Sequence, residues 1–166
     1  MAVIAFYLAS FVAIATTVLV VTNTNPVHAL LNLVVSLLSI AVVFFTLGAP
    51  FAAVLEVVIY AGAIMVLFVF VVMMLNLGAR TIEQERAWFT GRAWLGPSVL
   101  SAVLLVELVT LLWPSGELTP IGLRTVGAKE VGVALYGPYL LVVELASMLL
   151  LGGLVAAYHL GRGHEK

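Results

Sequence analysis

Cysteine and aspartate are absent from this chain of 166 residues, and charge of either sign is scarce, with only 9% of positions charged. Without cysteine there is no disulfide, no thiolate metal site, no iron-sulfur ligation and no thiol nucleophile. Seven Lys or Arg against eight Glu leave a formal net charge of −1, so no basic field exists to hold nucleic acid, and that partner class is excluded. His28, His159 and His164 are the only imidazoles and form no metal pair on a helix. Phosphate loops, dinucleotide fingerprints, nucleophile elbows and zinc-protease motifs are all missing, and the Gly161 to His164 run reads as a polar tail. What the chain does have is apolar surface: 64% of residues are hydrophobic and the mean hydropathy is +1.24. A water-soluble domain carries about a quarter charged residues and about 45 to 50% apolar ones. The composition is that of a membrane protein.

The first charged side chain is Glu56, so the stretch before it far exceeds the roughly 20 residues that one helix needs to cross a bilayer. Asn23, Asn25 and Pro26 interrupt the apolar pattern, and Gly48, Ala49 and Pro50 interrupt it again. These breakers predict spans over residues 2–22, 27–47 and 51–75, and the remaining apolar runs predict spans over 93–113 and 138–160. Continuous apolar runs exclude barrel strands, which alternate polar and apolar positions. The expected fold class is therefore an all-α membrane protein with five transmembrane helices, forming one membrane domain over residues 1–166. A cleaved leader is not expected, because nothing before Ser10 provides a basic n-region.

Orientation follows from the cations. Arg80, Arg86, Arg92, Arg162 and Lys166 fall on one side and only Arg124 and Lys129 on the other. The excess predicts an N-terminus outside and a C-terminus in the cytoplasm. Trp88, Trp94, Trp113, Tyr136, Tyr139 and Tyr158 stand at expected span ends, as interfacial aromatics do. Segments 76–92 and 114–136 are long enough for structure of their own, and the Thr81 to Gln84 capping spacing predicts either a short interfacial helix or a mobile loop in the first.

Glu56, Glu107 and Glu144 are the only charged side chains inside expected spans, and no Lys or Arg shares the membrane with them. A charge near mid-membrane costs on the order of 3 kcal/mol or more, so such groups usually face a protein interior or a wet cavity and mark an ion path. Each lies near an outer boundary, which favours helix packing or an interfacial role for Glu107 and Glu144 and leaves Glu56 as the stronger ion-path candidate. Tyr60 follows Glu56 at i+4, where a phenol can reach a carboxyl. Next comes Ala61-Gly62-Ala63, a patch of small residues in a helix of large ones. It permits close helix packing or, at Gly62, a local π-bulge. On an α-helix Glu56, Tyr60, Ala63, Leu67 and Phe70 form one stripe.

The runs Asn25-Pro26-Val27-His28-Ala29-Leu30-Leu31 and Leu47-Gly48-Ala49, with the segment from Glu56 to Asn76 containing Tyr60-Ala61-Gly62-Ala63, resemble the J chain of bacterial proton-translocating NADH:quinone oxidoreductase, respiratory complex I. The likeness is close over residues 1–80 and rests on length and hydropathy beyond them. It implies a membrane-arm subunit in the bacterial inner membrane, partnered by other membrane subunits and lipid, that helps couple quinone reduction to proton translocation. The resemblance also implies a π-bulge at Gly62 whose rearrangement gates a water chain. Tyr60, Gly62, Val66 and Phe68 then join Glu56 as gate or proton-path candidates, with Glu107 and Glu144 further along. No cofactor is expected on this chain, the NADH site, FMN, iron-sulfur clusters and quinone belonging to other subunits, so it takes part in the enzyme without being catalytic alone. The rival readings are an equivalent subunit of a related hydrogenase or cation/proton antiporter complex, and a purely structural spacer. An autonomous transporter would show paired inverted repeats with broken helices, which five spans cannot supply.

Overall fold

The computed structural model describes residues 2–23, 26–75, 91–112, 121 and 124–162. Every regular element among them is helical: α1 (Ala2–Thr22), α2 (Pro26–Thr46), α3 (Pro50–Leu55), a π-helical segment (Glu56–Ile64), α4 (Met65–Leu75), α5 (Gly91–Leu112), α6 (Ala128–Tyr136) and α7 (Leu140–Gly161). Because α3, the π segment and α4 run on as one rod, five helices are long and apolar enough to cross a membrane. Their bounds lie within a few residues of the expected spans. Helices are the solution here because a lipid-embedded backbone must pair its own polar groups. The anticipated structure in the fourth connection takes the form of α6, whose first turn is closed by the Gly127 amide donating to the Glu130 carboxylate over 3.0 Å. The possible helix near Thr81 and Gln84, together with Trp88 and Trp113, lies outside the described residues.

The chain divides into two compact units, residues 1–125 and 126–166. In the first, α1 presents the stripe Ala5, Ala9, Val12 and Thr16 at i, i+4, i+7 and i+11 to its neighbours, all four buried. Ala5 and Ala9 pack with Val42 of α2 and Leu111 of α5, and Val12 packs with Val35 and Leu104. These pairings make α2 and α5 parallel to each other and antiparallel to α1. Hydroxyls reinforce the seam: Thr17 and Ser36 share a hydrogen bond of 2.8 Å between α1 and α2, and Ser36 also donates to the Ala13 carbonyl over 3.3 Å. Small and hydroxylated residues suit this position, since helices in lipid associate by close packing and interhelical hydrogen bonds.

α2 ends in a Schellman turn. The Ala49 amide donates to the Phe44 carbonyl over 3.0 Å and the Gly48 amide to Phe45 over 3.1 Å, with Gly48 at φ 86°. Glycine is required there by the left-handed backbone. Pro50 then opens α3 at its first turn. A third helix-end carbonyl, that of Thr46, accepts the Ile121 amide over 3.0 Å. The second unit consists of α6 and α7, and α7 has no buried residue.

Candidate functional site

The third span carries the unusual backbone. From Glu56 to Ile64 the helix has π pitch, and the Met65 amide that closes it reaches back to the Tyr60 carbonyl, five residues earlier. π-helical stretches are rare and gather at functional sites. Gly62 lies within it for a steric reason: a Cβ built there would stand 3.1 Å from the Val57 carbonyl oxygen, again five residues back. Any side chain at position 62 presses on the turn that makes the segment wide.

The wide pitch re-aims the helix. At 100° per residue, nine residues would place Met65 about 180° from Glu56. Both are buried, Glu56 at 8% and Met65 at 2% exposure, so the widened turns bring onto one face two residues that an α-helix would set on opposite sides. The stripe expected on α-helical geometry dissolves accordingly, with Tyr60, Leu67 and Phe70 half exposed or more. No hydrogen bond joins Tyr60 to Glu56 among the described residues; the carboxyl is buried and the phenol is half exposed, so the i+4 pairing is not made. Val66 and Phe68 also face outward, at 63% and 53% exposure. Val57 and Val58 of the π segment border an apolar groove of about 380 Å³ shared with Leu38 and Phe45 of α2 and Leu104 and Leu108 of α5. The backbone of wide pitch therefore has open space along one flank.

The three membrane carboxylates part company in the structure. Glu107 is buried on α5 at 5% exposure, and neither carboxyl oxygen has a hydrogen-bond partner among the described residues. Glu144 is exposed near the start of α7, where its backbone carbonyl accepts the Ser147 hydroxyl over 2.7 Å. The structure thus gathers Glu56, Tyr60 and Gly62 in the π segment, with Val66 and Phe68 just beyond, and leaves Glu107 on another helix of that unit and Glu144 in the second unit. A residue the sequence reading did not single out is Asn32, buried at 3% exposure, whose side-chain amide donates to the His28 carbonyl over 2.9 Å.

The fold is that of an all-helical membrane protein with five helices long and apolar enough to span a bilayer, and its irregular backbone and buried carboxyls lie within those spans. The chain belongs to the family described as NADH-ubiquinone/plastoquinone oxidoreductase chain 6, whose model matches residues 16–160. It is 64% identical over 162 residues, covering 98% of both chains, to a protein of Pseudomonas aeruginosa named NADH-quinone oxidoreductase subunit J. Proteins of the same name are 58% identical in Escherichia coli K12, over 95% of this chain and 85% of that one, and 48% identical in Buchnera aphidicola from Schizaphis graminum, over 95% and 96%. The resemblance to the complex I J chain holds over nearly the whole length, including the last two spans. Other subunits of that complex are its partners.

Proposed function

We propose that this chain is a membrane-arm subunit of bacterial complex I, in the inner membrane, that helps couple quinone reduction to proton translocation through a switch between π and α pitch in the third span. In this reading Tyr60, Gly62, Val66 and Phe68 form the moving part, Glu56 is its adjoining polar group, and Glu107 and Glu144 are further polar stations. The chain itself carries no redox centre; NADH, FMN, iron-sulfur clusters and quinone are handled by other subunits. Its N-terminus lies outside and its C-terminus in the cytoplasm, following the Lys and Arg distribution.

The observation that carries the proposal is the π segment itself, nine residues long and centred on Tyr60 in the middle of a span. Conversion to α pitch would turn the following residues by about 100° for each surplus residue expelled. Such a rotation exchanges the side chains presented to neighbouring helices, and the groove beside Val57 and Val58 gives it room. Packed protein cores and interfaces are bistable rather than continuously deformable, so two pitches of one segment make a natural switch.

The test is Gly62→Leu in the assembled complex, read as proton pumping driven by NADH oxidation with quinone. The variant is expected to pump poorly, and Gly62→Ala less poorly, because alanine adds only the Cβ that meets Val57 at 3.1 Å. NADH oxidation by an artificial acceptor should stay at the wild-type level. Wild-type pumping by an assembled Gly62→Leu complex sinks the switch.

A further inference from the structure

α6 lacks the means to stand alone in water. It has nine residues, none of them buried, and isolated helices shorter than about 12 to 15 residues are marginal even in alanine-rich sequences. Gly132 and the β-branched Val131 and Val133 weaken it further. Its first turn is capped by the Glu130 carboxylate, which accepts the Gly127 amide, but that holds one end only. The two sides of the helix differ. Val131, Ala134 and Leu135 share one side at i, i+3 and i+4, and Lys129 stands across from them. Val131 and Ala134 are half-buried, Leu135 is 40% exposed, and Lys129 is exposed.

The level of α6 in the membrane follows from α7, which belongs to the same compact unit. α7 runs for 22 residues from Leu140, about 33 Å at α-helical rise, close to the roughly 30 Å of a hydrocarbon core. Leu140 therefore stands at the edge of the acyl chains. Tyr136, the last residue of α6, is four residues earlier, and four residues span about 14 Å at most even when fully extended. The connection is tighter than that: the Tyr139 amide donates to the Ala134 carbonyl over 3.1 Å and the Leu140 amide to the Gly137 carbonyl over 3.3 Å. α6 thus ends in or beside the headgroup layer, which is about 5 to 8 Å deep on each side of the core. Tyr136 and Tyr139, at 75% and 57% exposure, bracket the connection, and such rings favour this level. A short helix placed here, apolar on one side and cationic on the other, gains the stability it lacks in water by laying its apolar side on the acyl boundary.

We infer that α6 lies in the membrane–water interface on the side where α7 begins, with Val131 and Leu135 toward the acyl chains and Lys129 toward water and the lipid phosphates. The occupant of its apolar side is phospholipid, continuous with the bilayer that α7 enters four residues later. The inference is independent of the third-span switch and rests on the complex I reading only in taking the assembled complex as the specimen. The experiment places the photoreactive residue p-benzoylphenylalanine at position 135 and, separately, at position 129, with each complex purified and held in phosphatidylcholine nanodiscs. Photolysis is expected to add phospholipid mass to this subunit in the 135 variant and to leave it free of lipid in the 129 variant. A cross-link from position 135 to another subunit, lipid on both variants, or lipid on neither overturns the inference. If the 135 variant does not assemble, a density map of the wild-type complex in the same nanodiscs decides. α6 lying along the headgroup layer with Leu135 toward the acyl chains upholds it, and α6 standing off in solvent or covered by a neighbouring subunit overturns it. Pumping by Gly62 variants bears on none of these outcomes.

Discussion

Gly48 and Gly62 are both glycines of necessity, for different reasons. At Gly48 the backbone itself is left-handed, with φ 86°, and a Cβ there costs about 1 to 2 kcal/mol. Gly48→Ala should lower the unfolding stability of the subunit by that amount while leaving pumping per assembled complex unchanged, which thermal denaturation and pumping assays on the same preparation separate. At Gly62 the backbone is right-handed π-helix and the constraint is the 3.1 Å approach of the Val57 carbonyl oxygen, so substitution there should act on pumping more than on stability. The difference was visible in the sequence only in part. Gly48 stands between Leu47 and Ala49-Pro50, where a helix stop is plain, whereas the contact that demands glycine at position 62 exists only once the turn has opened to π pitch. Glu107 was legible in principle: Leu100, Leu104, Glu107 and Leu111 fall on one helical stripe. Depth along the helix gave Glu107 and Glu144 the same reading, helix packing or an interfacial role; the face on which each stands is what separates the buried Glu107 from the exposed Glu144.

Helix limits could be read from breakers because Pro26, Pro50 and Gly48 act through their own backbones, within a residue or two. Pitch is different. A hydrogen bond from i to i−5 in place of i−4 is chosen cooperatively by a whole turn and its neighbours, so the Ala61-Gly62-Ala63 patch indicates where a helix can widen and says nothing of how far. The widening runs back to Glu56 and on to Ile64. A length test follows at this level. Deleting Ala63 removes surplus chain from the segment and should let the third span run in α pitch throughout. The expected complex assembles, shows a regular third helix in its density map, and pumps little. A variant that keeps the π segment, or that pumps normally with a straight helix, contradicts the role given to it.

The layout of the whole chain was the most legible property, since five apolar runs leave few alternatives once lipid demands that each backbone pair itself. Sidedness remains a matter of seven cations. Because the chain has no cysteine, single cysteines can report it without background from this subunit. A cysteine replacing Lys129, exposed on α6, should react with an impermeant thiol reagent added to intact cells, and one at position 163 should react only after the membrane is opened. The reverse pattern would invert the topology and move the outer and inner ends of every span.

The third span also has a length that its neighbours lack. It crosses with 25 residues where α1 and α2 cross with 21 each, and at α-helical rise those 25 would extend about 38 Å, beyond the roughly 30 Å of a hydrocarbon core. π pitch winds more residues into each turn and so shortens the rod, fitting a surplus of chain to the same slab of lipid. Straightening the segment must lengthen the span, and the bilayer resists a span that no longer matches it. On the proposed switch, lipid thickness would enter the balance between the two pitches, thin bilayers holding the segment wound and thick ones favouring its extension. Complexes reconstituted in phosphatidylcholines of graded acyl length should show pumping that varies with thickness while artificial-acceptor activity does not.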